Sequence, residues 1–256
     1  MDKVTFHSKD KTKLAGLWSH PDHKSDKVVV LAHGITVDKE ADGIFTKLAQ
    51  LLADNGFSIL RFDFRGHGES QGRSVDMTIS KEVEDLTAAI DYVEQRGYKR
   101  IGLLGASFGG GISALYAGNI HNKLTCLCLW NPALNYQRTF LKPVTPWLKK
   151  QTAQIKRDFN NKGWSTLGSA KLIIGKQLFD EMEDLFPYKS LKKIKIPLLI
   201  IHGSVDDKVS YEDSVEYGRD IGEVTIIKNA THGFHEDWES KIAYKKTLDF
   251  FLKYLD

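Results

Sequence analysis

Residues 100–110 read RIGLLGASFGG, and the fold turns on them. Arg100 to Ala106 form a continuous apolar run, the texture of a strand buried on both faces of a parallel sheet. From Phe108 to Ala117 the pattern is helix-like. Between the two lies Gly105-Ala106-Ser107-Phe108-Gly109, a G-x-S-x-G pentapeptide. Its glycines let the backbone turn sharply and approach neighbouring elements. A serine at such a strand-to-helix turn displays its hydroxyl beside a helix N-terminus, whose partial positive charge suits a developing oxyanion. The pentapeptide is short, and its place between strand and helix gives it weight. The competing reading is a glycine-rich turn that binds an anion or nothing at all.

Working outward, further apolar, β-branched runs bounded by turn residues occur at KVVVLAHG (27–34), FSILRFDF (57–64), LTCLCLW (124–130), PLLIIHGS (197–204) and EVTIIKN (223–229). Helix-like stretches separate them: Ile44–Asn55 before Gly56, Lys81–Arg96 before Gly97, and a terminal Ile242–Tyr254. In the second, Val83, Leu86, Ile90 and Val93 recur at three and four, one helical face, and Gly97 is placed as its C-terminal stop. Two alternating segments, VTFHS (4–8) and LAGLWSH (14–20), predict an antiparallel hairpin at the start. The whole predicts an α/β fold, a mostly parallel doubly wound sheet with an N-terminal antiparallel hairpin. One connection breaks the rhythm. Between Trp130 and Ile196 no strong buried strand is visible, and aromatics accumulate (Phe140, Trp147, Phe159, Trp164, Phe179, Phe186). A connection of that length is usually functional. We expect 133–190 to be an inserted cap and 1–132 with 191–256 to be the core.

The chain has 256 residues, 41% of them hydrophobic and 27% charged, which is enough apolar material for one globular core. A formal charge of +3 is too weak to argue for a nucleic-acid partner. Its distribution is uneven: Arg138 to Lys176 hold nine Lys/Arg against the single acid Asp158, so the remainder is net negative. Cys126 and Cys128, two apart on a strand, share a face and are expected as buried reduced thiols. The N-terminus is charged and lacks the apolar segment of a signal peptide. No apolar stretch approaches the ~18 residues that span a bilayer. These readings predict a cytoplasmic protein with a small-molecule substrate, no nucleic-acid partner and no stable membrane insertion, with a homodimer left open.

A serine nucleophile needs a base, and the base needs an orienting carboxylate. Behind such an elbow the chain order is serine, acid, histidine. PLLIIHGS runs into Val205-Asp206-Asp207-Lys208-Val209, and EVTIIKN runs into Ala230-Thr231-His232-Gly233-Phe234. Both loops follow strand C-termini, where active sites of open α/β sheets gather, so Ser107, Asp206 and His232 can converge. Asp207 is the rival acid, read as a solvated turn carboxylate, and His235 the rival base, read as a polar residue capping the next helix. The backbone N–H of Phe108 is the first expected oxyanion donor, and that of Ile35, after His33-Gly34, the second. His33 itself is read as a structural hydrogen-bonding residue. No spacing reads as a metal site, since the H-x-x-H at 232–235 lacks a helix and further ligands. No cofactor is expected.

Taken together, HG (33–34), RFDFRGHGES (61–70), GASFGG (105–110), HGSVDDKV (202–209) and ATHGF (230–234) resemble the α/β-hydrolase superfamily in order and spacing. Among its members the chain is most similar to cinnamoyl/feruloyl esterases and monoacylglycerol-lipase-like serine hydrolases, in size, in the D-x-R-G-x-G-x-S loop (Asp63 to Ser70) and in a short cap before the acid strand. The resemblance implies the α/β-hydrolase fold and carboxylic ester hydrolysis. It also implies that Asp63, Arg65 and His67 brace the elbow and take no part in catalysis. The oxyanion loop reads HGIT where many lipases have HGGG, which argues against bulky tertiary-alcohol esters, and Val209-Ser210 stands where Val-Pro is commoner. Medium or aromatic acyl esters are the expected substrates, with Trp147, Phe140 and Trp164 lining the pocket. Thioesterase or acyltransferase chemistry uses the same machinery, as does a serine aminopeptidase, which needs an acidic feature that this cap scarcely offers. A non-catalytic binding relative is the remaining alternative.

Overall fold

A computed structural model describes residues 1–21, 25–119, 123–169 and 171–255. The ranges expected for core and cap therefore include 22–24, 120–122, 170 and 256, which lie outside the described residues. The chain opens with β1 (Asp2–His7) and β2 (Lys13–Ser19), the expected hairpin, followed by β3 (Lys27–Ala32), α1 (Ile44–Asp54) and β4 (Ser58–Phe62). Then come α2 (Ile79–Gln95), β5 (Arg100–Ala106), α3 (Ser107–Ala117) and β6 (Cys126–Trp130). After a long insertion follow β9 (Leu198–Gly203), α8 (Tyr211–Gly218), β10 (Glu223–Ile227) and α9 (Asp237–Leu255). The eight-stranded sheet has the order β1-β2-β4-β3-β5-β6-β9-β10, with β2 antiparallel to β4 and parallel pairing from β4 to β10. Apart from edge strand β10, which is exposed at Glu223 and half-buried at Val224, Thr225 and Ile226, the apolar runs are strands because both of their faces are covered. In β3, Val28, Val30 and Ala32 pack in one apolar cluster with α2 and α3, while Val29 and Leu31 pack in the other with α1 and α9. Cys126 and Cys128 share the second face as buried free thiols. Burial pushes the Cys128 thiol up to about 12, so it stays protonated. Helix α2 starts two residues ahead of the expected Lys81 because Thr78 caps it, its side-chain oxygen accepting the Lys81 N–H at 3.3 Å.

The β6–β9 insertion is more ordered than its sequence suggests. It contains a π-type turn (Gln137–Leu141), α4 (Pro146–Lys149), α5 (Thr152–Lys162), a two-stranded hairpin of β7 (Trp164–Leu167) and β8 (Leu172–Gly175), α6 (Lys176–Asp184) and α7 (Pro187–Leu191). A chain of ring contacts joins it to the elbow helix: Phe108 to Phe140 at 5.9 Å, Phe140 to Phe179 at 6.3 Å, and Phe179 to Phe159 at 5.0 Å. Of the nine basic residues from Arg138 to Lys176, eight are exposed, and Arg138 is turned inward. No helix among the described residues is long and apolar enough to cross a membrane.

Arg138 ties the insertion to α8. Its guanidinium lies 3.1 Å from Asp213 Oδ1, 3.4 Å from Glu212 and 3.7 Å from Glu216. Asp213 is fully buried, and neither of its oxygens has a well-formed hydrogen bond among the described residues. Burial pushes its carboxyl up to about 6, against the pull of Arg138 and with the help of Glu216 and Glu212. A carboxyl raised in the folded state binds its proton more tightly there than in the unfolded chain. Its contribution to stability is therefore complete below about pH 4 and is lost as pH rises through about 6. Asp213→Asn should accordingly gain on the wild type by about 1–3 kcal/mol between pH 4 and pH 7.5. Urea unfolding at the two pH values checks this, and parallel curves for the two proteins would refute it.

Candidate active site

The elbow is strained where chemistry would need it. Ser107 has φ +54°, in the left-handed region that non-glycine residues avoid. The surroundings force the geometry. A Cβ on Gly109 would overlap the carbonyl oxygens of Ala32 and His33, so the first turn of α3 lies directly on the end of β3. A Cβ on Gly34 would come within 3.2 Å of the Ser107 Cβ, so the loop after β3 passes just as close. That loop carries Ile35 to the edge of the site, and Phe108 follows the serine in the first turn of α3, where backbone N–H groups have no partner within the helix.

Three side chains from three strand ends meet in a row. His232 Nε2 lies 2.9 Å from Ser107 Oγ, and His232 Nδ1 lies 2.6 Å from Asp206 Oδ2. Asp206 is fully buried and His232 nearly so. The other carboxylate oxygen, Oδ1, accepts the backbone N–H groups of Lys208 at 2.8 Å and Val209 at 2.9 Å. Burial raises the Asp206 carboxyl, but His232 and His202 outweigh it and hold the group well below the usual carboxylate range. Asp206 is therefore an anion at any pH at which His232 would exchange a proton. The rivals lie elsewhere. Asp207 is exposed, and His235 is exposed in the pocket wall.

The brace in RFDFRGHGES is built from buried ion pairs. Asp63 accepts the Lys39 N–H at 2.8 Å, the Lys39 ammonium at 2.7 Å and the Glu69 N–H at 2.8 Å. Arg65 forks onto Asp85 at 2.9 and 2.6 Å and reaches Asp10 at 2.8 Å. His67 Nε2 lies 2.8 Å from the Ile35 carbonyl oxygen, which fixes the loop that carries Ile35. His33 Nε2 accepts the Phe64 N–H at 3.0 Å, so its proton sits on Nδ1 and is donated to the Gly34 carbonyl at 2.8 Å. Burial, then the nearby His67, depress the His33 imidazole well below its usual range, so it is neutral.

Three residues beside the row escaped the sequence reading. Asn131, just past β6 and at φ +42°, accepts the Gly203 N–H at 2.9 Å and donates to the His232 carbonyl, binding the acid strand and the histidine loop together. Glu239, in the first turn of α9, holds the same loop from the other side through the Thr231 N–H and hydroxyl at 2.9 and 3.0 Å. His202 is a further residue in contact with Asp206, its Nε2 lying 3.1 Å from Oδ2.

A cavity of about 90 Å³ opens over Ser107, walled by Val37, Ile44, Phe45, Trp147 and Phe234 among others. Its wall includes Ala41 and Asp42, which with the following Gly43 make an unusual left-handed run at φ +47°, +53° and +86°. Of the three aromatics expected in the pocket, Trp147 lines it. Phe140 packs behind, 5.9 Å from both Phe108 and Trp147, and does not line the cavity. Trp164 is displaced altogether: it sits exposed on the β7–β8 hairpin under the Lys162 ammonium, 3.8 Å from the ring centre. The insertion reaches the acid loop directly, since the Trp147 N–H donates to the Asp207 carbonyl at 3.1 Å and the Thr145 hydroxyl to the Lys208 carbonyl at 2.8 Å.

A parallel sheet with this strand order, a left-handed serine between its central strand and the following helix, and an acid and a histidine on later strand ends define an α/β hydrolase. The chain belongs to the serine aminopeptidase S33 family, whose model matches residues 23–169. In sequence it is 34% identical over 122 residues to a monoacylglycerol lipase of Mycolicibacterium smegmatis, a match spanning 46% of this chain and 42% of that protein. In structure it is similar to Est1E from Butyrivibrio proteoclasticus solved with ferulic acid, at TM-score 0.83 and 22% identity, covering 98% of this chain and 99% of the other. The Pyrococcus furiosus esterase PF2001 superposes at TM-score 0.75 and 22% identity, covering 100% of this chain and 91% of the other. At such identities the two structures speak for the fold.

Proposed function

We propose that the protein is a serine carboxylic ester hydrolase that acts through an acyl-enzyme on medium or aromatic acyl esters. The observation that carries this reading is the Asp206–His232–Ser107 row, at 2.6 and 2.9 Å, opening into a cavity walled largely by apolar side chains. Ser107 Oγ attacks the ester carbonyl carbon as His232 Nε2 takes its proton, and Asp206 stabilises the imidazolium. The Ile35 and Phe108 N–H groups hold the oxyanion. Collapse expels the alcohol, which takes the proton from His232. Water, deprotonated by the same imidazole, then cleaves the acyl-enzyme. Residues 133–190 act as a cap that contributes Trp147 to the acyl pocket. The ferulic acid bound to Est1E and the name of esterase that PF2001 carries agree with this reading.

A second reading, hydrolysis of an amide beside a free amino group, is favoured by one finding. Asp42 places a carboxylate in the pocket wall from outside the insertion, whose own acids do not line the cavity, and the family's name is that of an aminopeptidase.

A substrate panel separates the two: p-nitrophenyl esters of acetate, octanoate and cinnamate against amino-acid p-nitroanilides. Preference for the esters is expected, and preference for the anilides would transfer the assignment to the second reading. In the same panel Trp147→Ala should raise KM for octanoate and cinnamate about tenfold and leave acetate within about twofold, because one aromatic face and its apolar burial are lost. Equal losses on all three esters would mean that Trp147 only supports the insertion.

A further inference from the structure

We infer that His202 is a positioning residue for Asp206, the second imidazole on the carboxylate that orients His232. The inference rests on the Ser107–His232–Asp206 reading above. His202 is the penultimate residue of β9, fully buried, four residues ahead of the acid. Its Nε2 lies 3.1 Å from Asp206 Oδ2, the same oxygen that His232 Nδ1 approaches to 2.6 Å, and 3.2 Å from the Val209 carbonyl oxygen. A carboxylate and a carbonyl can only accept, so the His202 proton is on Nε2. Nδ1 lies 2.7 Å from Ser214 Oγ on α8, so that hydroxyl donates to it. One imidazole in the Nε2–H tautomer thus meets its polar neighbours on both sides.

The consequence falls on His232. Asp206 Oδ1 is saturated by two backbone N–H groups, and Oδ2 is shared between two imidazole donors. A donor competing for Oδ2 locks the carboxylate plane and draws off part of the negative charge that would stabilise a protonated His232. His202 therefore aims the acid at His232 while keeping His232 in its basic, proton-free form to lower pH. The other ionisable groups near the row are Lys208, on the acid loop, and Asp42 and His235 in the pocket wall. Behind His202 the nearest acid on α8 is Asp213, adjacent in sequence to Ser214. A substitution at 202 leaves all of these in place.

His202→Leu should lower kcat about 10- to 100-fold with KM within about twofold, and should move the acid limb of the kcat/KM profile upward by about 0.5 to 1 pH unit. His202→Gln, whose amide N–H can take the place of Nε2–H, should restore most of kcat and return the limb toward wild type. A role in packing alone gives neither the displaced limb nor the rescue, and an unmoved limb, or equal behaviour of Leu and Gln, overturns the proposal. The wild-type protein provides an arm independent of folding in the variants. Its ¹⁵N imidazole spectrum should assign His202 to the Nε2–H tautomer, and an Nδ1–H tautomer overturns the proposal too. Turnover surviving in Ser107→Ala would remove the Ser107–His232–Asp206 reading on which this inference rests. A dead Ser107→Ala beside an unmoved limb in His202→Leu removes only this inference.

Discussion

Ser107→Ala is expected to abolish ester turnover, lowering kcat by at least about 10⁴-fold, while leaving the thermal midpoint and circular dichroism near those of the wild type. The substitution deletes one oxygen atom. It leaves the β5–α3 turn, the contacts of Gly34 and Gly109, and the Asp206–His232 pair as they are. Alanine also occupies the left-handed position at a cost similar to that of serine, so no backbone relief confuses the outcome. The measurement is kcat on p-nitrophenyl esters with a fluorophosphonate labelling control, which should mark the wild type and not the variant. Residual turnover within about tenfold of wild type would remove Ser107 from the nucleophile role.

Asp206→Asn should be nearly as severe, about 10⁴-fold in kcat, and the hydrogen bonds say why. Lys208 and Val209 both donate backbone N–H to Oδ1, so the asparagine must put its carbonyl oxygen there. Its NH₂ then occupies the place of Oδ2, facing His232 Nδ1. The imidazole responds by accepting at Nδ1 and carrying its proton on Nε2, where it can no longer receive one from Ser107. Asp207→Asn, at an exposed carboxylate, should cost little. By the same logic, His232→Ala should be as damaging as the Asp206 change and His235→Ala mild. The reverse order of the two histidines would show that the base is His235.

What could be read in advance follows from whether a signal is local. Five of the parallel strands were legible because burial on both faces leaves a near-continuous apolar run, the half-buried edge strand β10 because its β-branched residues stand between turn residues, and the elbow because its glycines, serine and flanking strand are contiguous. The β7–β8 hairpin was not. Its strand WSTL exposes Trp164 and Thr166 and buries Ser165 and Leu167, so neither apolarity nor a long alternation marks it. Aromatic content in the insertion announced an apolar interior without giving each ring a direction. Trp147 faces the cavity, Phe140 backs it, and Trp164 lies outside under a lysine. Asn131, His202 and Glu239 were invisible for a different reason. Each acts on a residue far away in the chain, and only the convergence of strand ends gives an asparagine, a strand-end histidine or a helix-start glutamate its partner. The basic excess likewise gave no warning that Arg138 alone would turn inward onto α8.

The two hydrogen bonds from the insertion to the acid loop set a rule for anyone who would exchange lids between relatives of this protein. Lys208 donates its N–H to Asp206 and accepts the Thr145 hydroxyl on its carbonyl, and the neighbouring Asp207 carbonyl takes the Trp147 N–H. A chimaera spliced at 133 and 190 would cut both ties and loosen the acid together with the pocket roof, so a change of substrate preference and a loss of catalytic power would arrive mixed. Moving the first junction to just after Leu148 keeps the native tether and exchanges only the helices and the hairpin beyond it. The domain boundary suited to transplantation therefore differs from the one that topology draws.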